Sequence, residues 1–272
     1  MEEKQKVIFS VIVFVSLLLI GAVIYFLLIR DRAPEQMEER IVTQELEPRE
    51  KTEPEEISRP DLEPVDVKLE DSDPVVRDMA AALSDETKFM NWLQTSRIIN
   101  KFVAAVDNIA HGLSPRTQID FFSLDQDFQA QETEDGWVVD PESYRRYDPA
   151  VEVFLSLDVA ESVKLYYRFK PVLQEAYREL GYPDQDFTDT LNRAVQELNA
   201  VPVVSEPIHL EQKMMSYVMA DSELENLSPA QKHFLRMGPE NVRKVQSKLN
   251  EFQQALSNPE EVLLSVFTAG PY

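Results

Sequence analysis

The residues of this chain that could do chemistry are few and widely spaced. Its three histidines, His111, His209 and His233, stand far apart and lack the close spacing of a zinc motif. The chain has no cysteine and therefore no thiol nucleophile, and its six glycines never cluster into a phosphate-binding loop. We therefore expect no metal site, no cofactor and no catalytic residue from any of these motifs.

Acidic residues are the one abundant class of reactive side chain. The chain has 49 Asp and Glu against 27 Lys and Arg, a formal net charge of −22. This charge repels DNA and RNA, so we expect no nucleic-acid partner. Two carboxyl groups in a cleft of the helical domain described below could hydrolyse a glycosidic bond, but so acidic a surface brings carboxylates together by default. A hydrolase is the alternative function, and a non-catalytic binding or scaffold module is the expected one.

Arginine and tyrosine are the residue types that most often anchor protein interfaces, because each combines a large planar surface with hydrogen bonding. We expect a set of them to form a groove for an acidic or extended peptide of another protein. That requires the helix of residues 86–111 to lie beside the helix that begins near Ser228. Alternatively, each arginine pairs with a nearby acid and each tyrosine fills the core. The candidate binding residues are Arg97, Lys101, Asp107, Asn108, Tyr144, Arg145, Arg146, Tyr147, Tyr182, Lys232 and Arg236.

The one long uncharged stretch is residues 7–29, which begins at Val7 and ends at Ile29. As a helix it would span about 35 Å, slightly more than the ~30 Å hydrocarbon core of a bilayer. It is longer than the apolar region of a signal peptide and no small-residue cleavage site follows, so it predicts an uncleaved transmembrane helix after a stub of residues 1–6. Basic residues nearly balance across the two flanks. The short stub favours a cytoplasmic N-terminus and a type II topology.

Residues 30–72 are predicted to form a disordered acidic linker. Residues 31–74 contain 16 acidic and 6 basic residues, six prolines and no aromatic residue. Such a segment cannot bury enough apolar surface to offset the entropy lost on ordering.

Residues 73–257 are predicted to form one multi-helix domain, followed by a tail of residues 258–272. Asp73 and Pro74 favour the start of a short helix, and an apolar stripe with three-and-four spacing predicts one long helix from about residue 84 to Gly112. The last helix repeats its apolar residues with the same spacing over only two heptads, so we expect it to pack on its own domain.

Three further signals complete the predicted domain. Asp158 and Glu161 form a capping pattern for a long helix, in which Pro171 predicts a kink or break. The dipeptide Asp135-Gly136 predicts a β-hairpin turn, and a weak alternation over residues 203–219 predicts a second small β element. The predicted fold class is therefore mainly α, with one or two small hairpins.

Several segments together resemble a bacterial family known only as domain of unknown function 3014. The resemblance implies a membrane-anchored protein of Gram-negative bacteria, which favours a periplasmic domain on the inner membrane, and it implies no activity. We therefore expect an envelope protein as partner and leave the oligomeric state open. The segments that carry the resemblance are FVAAVDN (residues 102–108), YRRY (144–147), LQEAYRELGYPD (173–184) and QKHFLRMGPEN (231–241).

Overall fold

The computed structural model describes residues 63–119, 124, 127–214 and 216–259. The predicted anchor of residues 7–29, residues 30–62 of the predicted linker and residues 260–272 of the predicted tail lie outside the described residues. Among the described helices, none has both the length and the apolar character needed to cross a membrane.

The described residues form a mainly helical domain with one small antiparallel sheet. Two short 3₁₀ turns, Leu69–Asp71 and Ala81–Leu83, flank the first helix. The helices are α1 (Ser72–Ala80), α2 (Thr87–Trp92), α3 (Ile98–Ala110), α4 (Glu142–Arg145), α5 (Asp148–Ser156), α6 (Val159–Glu179), α7 (Phe187–Asn199), α8 (Ser222–Glu225), α9 (Pro229–Leu235) and α10 (Pro239–Ser257). The strands are β1 (Ala130–Thr133), β2 (Gly136–Val139), β3 (His209–Gln212) and β4 (Tyr217–Met219).

The core has two parts. Helices α1, α3, α6 and α7 close around the first part, in which Val103, Phe169 and Tyr177 are fully buried. The sheet packs with α5, α9 and α10 around the second part, which contains Leu210 and Val242. Helix α7 contributes to both parts, so it joins the helical layer to the sheet layer.

Both predicted β elements are present, and they join into one sheet in the order β1-β2-β3-β4. The first hairpin turns one residue earlier than predicted, because Thr133 pairs with Gly136 and the turn residues are Glu134 and Asp135. Gly136 begins β2 with a φ of +111°, a conformation that favours glycine. The second hairpin pairs with the first through Trp137 opposite Leu210.

The predicted single helix from residue 84 to Gly112 is wrong, because the chain breaks between α2 and α3. The guanidinium of Arg77 donates to the carbonyl oxygens of Leu93 and Thr95 at 2.7 and 2.8 Å. These bonds satisfy carbonyl groups that a continuing helix would otherwise use, and so they stabilise the end of α2.

Asp73 caps a different helix from the one predicted. Helix α1 already begins at Ser72, and the Asp73 carboxylate instead accepts the backbone N–H groups of Arg97 and Ile98 at 2.7 and 2.8 Å. Arg97 has a φ of +57°, which is unusual for a residue other than glycine. The Asp73 side chain therefore fixes this left-handed turn and the start of α3 together.

Helix α6 runs without a break through Pro171, so the break expected there is absent. Pro171 lies on the exposed side of the helix, where its ring is accommodated. The predicted cap is confirmed, since Asp158 accepts the backbone N–H of Glu161 at 2.8 Å.

The predicted boundary between linker and domain at residue 72 is wrong. The Val65 N–H donates to the Arg168 carbonyl at 2.9 Å, and Leu69 is only 5% exposed in the first part of the core. Val65, Val67 and Leu69 alternate with polar residues, so one side of this short segment can pack on the helices while the other stays in solvent. The ordered domain therefore includes residues 63–72.

The last helix packs on its own domain, as expected. Helix α10 lies against α5, α6 and α7. Val242 and Val245 are buried, and the Tyr167 hydroxyl donates to the Leu256 carbonyl at 2.8 Å.

Candidate functional site

A cleft of about 870 Å³ opens on the sheet side of the domain. Its apolar wall comes from the sheet and from the segments before it, and includes Ile119, Phe128, Leu210 and Tyr217. Its cationic wall comes from the loop after α3, from the end of α4 and from α9. We call this site the arginine cleft and define it by Arg116, Arg146, His233 and Arg236.

Arg146 is the most constrained cation of the arginine cleft. Its guanidinium carbon lies 5.1 Å from the ring centroid of Tyr147 and 5.6 Å from that of Phe128. Its Nε is buried and has no hydrogen-bond partner among the described residues. Two aromatic rings thus hold a partly dehydrated guanidinium in one position, which reduces the entropy lost when it binds an anion.

None of the three arginines forms a direct ion pair with a carboxylate among the described residues, where each ion pair involves another basic residue. The charge of Arg236 nevertheless contributes to the lowered pKa of Glu225. Glu225 lines the same cleft, but its carboxylate accepts from Lys232 Nζ and from the Met219 N–H, both at 2.9 Å. These hydrogen bonds, with Lys232 the larger cause, lower the pKa of Glu225. Glu225 is therefore already engaged, and Asp127 is the other carboxylate among the described residues that line the cleft.

His233 contacts the loop after α3. Its Nδ1 is 3.0 Å from the Ser114 hydroxyl oxygen. Burial, and then the charges of Arg236, Arg116 and Arg146, lower the pKa of the imidazole. At neutral pH the ring is therefore uncharged and serves as a hydrogen-bonding group.

The structure brings only part of the predicted binding set together. Arg146, Tyr147 and Arg236 line the cleft, and Lys232 lies behind Glu225. Tyr144 packs its ring on Gly238 behind the cleft.

Other predicted residues form pairs elsewhere. Arg145 is exposed and pairs with Glu142 at 3.1 Å, as the alternative interpretation expected. The Tyr182 hydroxyl lies 3.4 Å from Asp107 Oδ2, and its ring stacks on Tyr177 at 4.7 Å.

Three predicted residues lie along α3 and do not reach the cleft. Asn108 donates to Gln118 at 2.7 Å near the end of the helix, whereas Lys101 donates to the Thr95 hydroxyl at 2.6 Å near its start. Arg97 precedes the first residue of α3.

A single groove that includes Arg97 is therefore wrong. Helix α3 has 13 residues and is about 20 Å long. Helix α9 is joined to the chain just beyond the C-terminal end of α3, where the Ala230 N–H donates to the Gly112 carbonyl at 3.0 Å. The two helices approach each other at the C-terminal end of α3, whereas Arg97 precedes its first residue. Arg97 therefore cannot join Arg236.

The sequence prediction missed Arg116, Phe128, Tyr217 and His233 as lining residues. His233 carried a usable signal, because it precedes Arg236 by three residues on a helix and so shares its face. Arg116 and Tyr217 lie in a loop and an edge strand far apart in sequence, and no local pattern joins them.

The alternative function needs a carboxyl group suited to acid catalysis. A general acid requires a raised pKa, whereas the hydrogen bonds to Glu225 lower its pKa. Among the residues that the structure describes, no three His, Asp or Glu side chains converge as a metal site. Asp127 and Glu225 both line the cleft, so two carboxyl groups are present there, but the lowered pKa of Glu225 does not suit that residue to the role of general acid.

The fold and the cleft define a mainly α-helical domain with a four-stranded antiparallel sheet and an arginine-lined pocket. The model of the family described as "Protein of unknown function (DUF3014)" matches residues 98–253, more than half of the chain, and the chain belongs to that family. The match begins one residue after Arg97 and contains the whole arginine cleft. No curated protein and no solved structure matches the chain.

The lowered pKa of His233 predicts a specific loss of stability in acid. The unfolded chain has an ordinary histidine pKa of about 6.5, so below that pH it binds a proton that the folded protein resists. The free energy of unfolding should therefore fall further between pH 7.5 and pH 5.5 in the wild type than in His233→Gln. Urea unfolding followed by circular dichroism measures both differences. Equal losses of unfolding free energy in the two proteins would contradict a lowered pKa for His233.

Proposed function

We propose that this chain is a membrane-tethered, non-catalytic binding module that takes an acidic, extended segment of a protein partner in the arginine cleft. The observation that carries the proposal is the convergence of Arg116, Arg146 and Arg236 in one cleft, without a direct ion pair to a carboxylate among the described residues, in a chain of net charge −22.

The cleft chemistry favours a ligand with both acidic and apolar side chains. Carboxylates form charge-assisted hydrogen bonds with guanidinium groups, each contributing about 1.5–3 kcal/mol when shielded and less where Arg116 and Arg236 are exposed. Phe128 and Tyr217 line the same cleft and offer apolar surface to the side chains of an extended peptide.

The tether belongs to the same proposal and rests on the sequence. Residues 7–29 are long and apolar enough for a transmembrane helix, and the acidic segment that follows gives the domain reach. We propose a bacterial inner-membrane protein whose domain lies in the periplasm and binds another envelope protein.

The cleft is tested by charge reversal. The full chain in detergent is titrated with a fluorescein-labelled peptide of four Glu-Val repeats, and binding is followed by fluorescence anisotropy. Arg146→Glu combined with Arg236→Glu should weaken binding at least ~30-fold, because two attractive contacts become repulsive. Raising the salt concentration should weaken wild-type binding as well.

Arg145→Glu is the matched control, since Arg145 neighbours Arg146 in sequence but points away from the cleft to pair with Glu142. It should leave the affinity within about twofold, as expected for an exposed charge. Equal affinity of the wild type and the double variant, with circular dichroism showing both folded, would refute the proposal. Equal binding of a peptide of four Lys-Val repeats would refute it too.

A further inference from the structure

We propose that the acidic ligand segment binds by adding an antiparallel strand to the sheet along the outer edge of β4. The inference rests on the proposed function, because the added strand lies in the arginine cleft, and it specifies how the backbone of the ligand is held. Strand addition of this kind supplies affinity through main-chain hydrogen bonds, while the alternate side chains of the ligand supply specificity.

Strand β4 is an edge of the sheet, because it pairs with β3 on one side only. The Ala220 N–H donates to the His209 carbonyl at 2.9 Å, so these two residues form a hydrogen-bonded pair. Hydrogen-bonded and non-hydrogen-bonded pairs alternate along an antiparallel ladder. The backbone groups of Met219 and Tyr217, one and three residues before Ala220, are therefore directed away from β3.

Three of these four outward backbone groups are available to a ligand. The N–H and carbonyl of Tyr217 and the carbonyl of Met219 have no hydrogen-bond partner within the part of the chain that the structure describes. The Met219 N–H is occupied, since it donates to Glu225 Oε2 at 2.9 Å. Lys232 Nζ holds the other oxygen of this carboxylate at 2.9 Å. Glu225 thus closes one end of the open edge, and the added strand pairs with Tyr217.

The open edge borders the same cleft as the arginines. Tyr217 and Met219 both line the cleft, whereas Val218 between them does not. The Tyr217 ring lies 6.1 Å from the Phe128 ring, and the guanidinium carbon of Arg146 lies 5.6 Å from the centroid of Phe128. Residues opposite each other in an antiparallel pair project from the same face of a sheet. The ligand residue paired with Tyr217 therefore directs its side chain into the cleft, as do its second neighbours, so an acid at every second position is favoured.

Charge distinguishes β4 from the opposite edge of the sheet. Strand β1 contains Glu132 and is followed by Glu134 and Asp135, and all three acids are exposed. Acidic side chains along an edge repel an acidic strand. Strand β4 instead shares its cleft with Arg146 and Arg236. A second copy of the chain fits this edge less well, because pairing β4 with β4 would bring two sets of arginines together.

Backbone methylation of the ligand tests the proposed contact, because it removes N–H groups and leaves the side chains unchanged. Two isomers of the Glu-Val peptide carry N-methyl groups either on the four glutamates or on the four valines. In an antiparallel strand whose glutamates face the cleft, the glutamate N–H groups point to β4 and the valine N–H groups point away from it. Fluorescence anisotropy with the full chain in detergent should show at least about tenfold weaker binding of the glutamate-methylated isomer than of the parent peptide. The valine-methylated isomer should stay within about threefold of the parent.

Tyr217→Pro tests the same hydrogen bond from the side of the protein, with Tyr217→Ala as its comparison. Both variants lose the ring, and only proline also lacks the N–H group. An edge strand tolerates proline where the missing N–H would face outward. Tyr217→Pro should bind the parent peptide at least about fivefold more weakly than Tyr217→Ala does. Equal affinities, with circular dichroism showing both variants folded, would overturn the proposal.

The outcomes distinguish strand addition from the proposed function. Equal affinities of the two methylated isomers, or tighter binding of the glutamate-methylated one, would overturn antiparallel strand addition. If Arg146→Glu with Arg236→Glu still weakens binding of the parent peptide, the proposed function stands. No binding of the parent peptide by the wild type would overturn both. A wild type that sediments as a dimer, with Tyr217→Pro as a monomer, would identify a second copy as the occupant and also overturn the proposal.

Discussion

Gly238→Ala is expected to lower the free energy of unfolding by about 4 kcal/mol, because two costs add at this position. Gly238 has a φ of +82°, which an alanine adopts only with strain. An added Cβ would also lie 2.5 Å from Cγ of Tyr144. Tyr144 cannot withdraw cheaply, since its Cβ is within 2.8 Å of the same position. Urea unfolding followed by circular dichroism measures the loss.

Gly181→Ala is the matched control for this prediction. Gly181 has a φ of +107° but no atom within 4 Å of the added Cβ. It should therefore show the backbone strain alone, about 1–2 kcal/mol. Equal losses in the two variants would show that the contact with Tyr144 is unimportant.

The same contact has a second effect on the arginine cleft. Tyr144 belongs to α4, which is followed by Arg146, and Gly238 lies between Arg236 and α10. The close approach of Tyr144 to Gly238 therefore holds the segment that carries Arg146 against the segment that carries Arg236. A folded Gly238→Ala protein at low temperature should bind the Glu-Val peptide more weakly than Gly181→Ala does.

A chain that begins at Asp73 is expected to be about 4 kcal/mol less stable than one that begins at Glu63. The shorter chain loses the burial of Leu69 and the packing of Val65 and Val67. It also loses the Ser72 hydroxyl, which donates to the Leu69 carbonyl at 2.8 Å. Thermal and urea unfolding of the two chains give the difference.

Leu69→Ala in the longer chain isolates the largest part of this effect. Truncating a buried leucine typically costs about 2–5 kcal/mol, so this variant should show at least half of the loss. If the two chains are equally stable, residues 63–72 act as a linker, as the boundary predicted from the sequence implies.

Sequence patterns predicted those elements whose signals are local. The Asp158 cap and the first hairpin follow from neighbouring residues, so α6 and the pair of strands β1 and β2 are predicted correctly. The break between α2 and α3 was missed because it depends on Arg77 and Asp73, about 20 residues away along the chain. The apolar residues keep their three-and-four spacing across the break, so the sequence pattern does not indicate it.

The candidate site was predicted in part for the same reason. Two of the segments that resemble the family contain Arg146, Tyr147 and Arg236, and all three residues line the cleft. Their separation from Arg97 is set by how α9 meets α3, which no sequence spacing encodes. Arg116 and Tyr217 join the site only through tertiary packing.

Because β2 pairs with β3 over a long loop, we expect the cleft to form late in folding. Each hairpin closes over a few residues, but Trp137 and Leu210 are more than 70 positions apart. Closing so long a loop costs about 4 kcal/mol of chain entropy before any contact across it forms. The helices α6 and α7 lie within that loop, and we expect their local contacts to form first and to shorten the distance between the two hairpins. As the chain emerges from the ribosome, Arg146 is present long before β3 and β4 are synthesised, so no anionic segment can find a complete site on an unfinished chain.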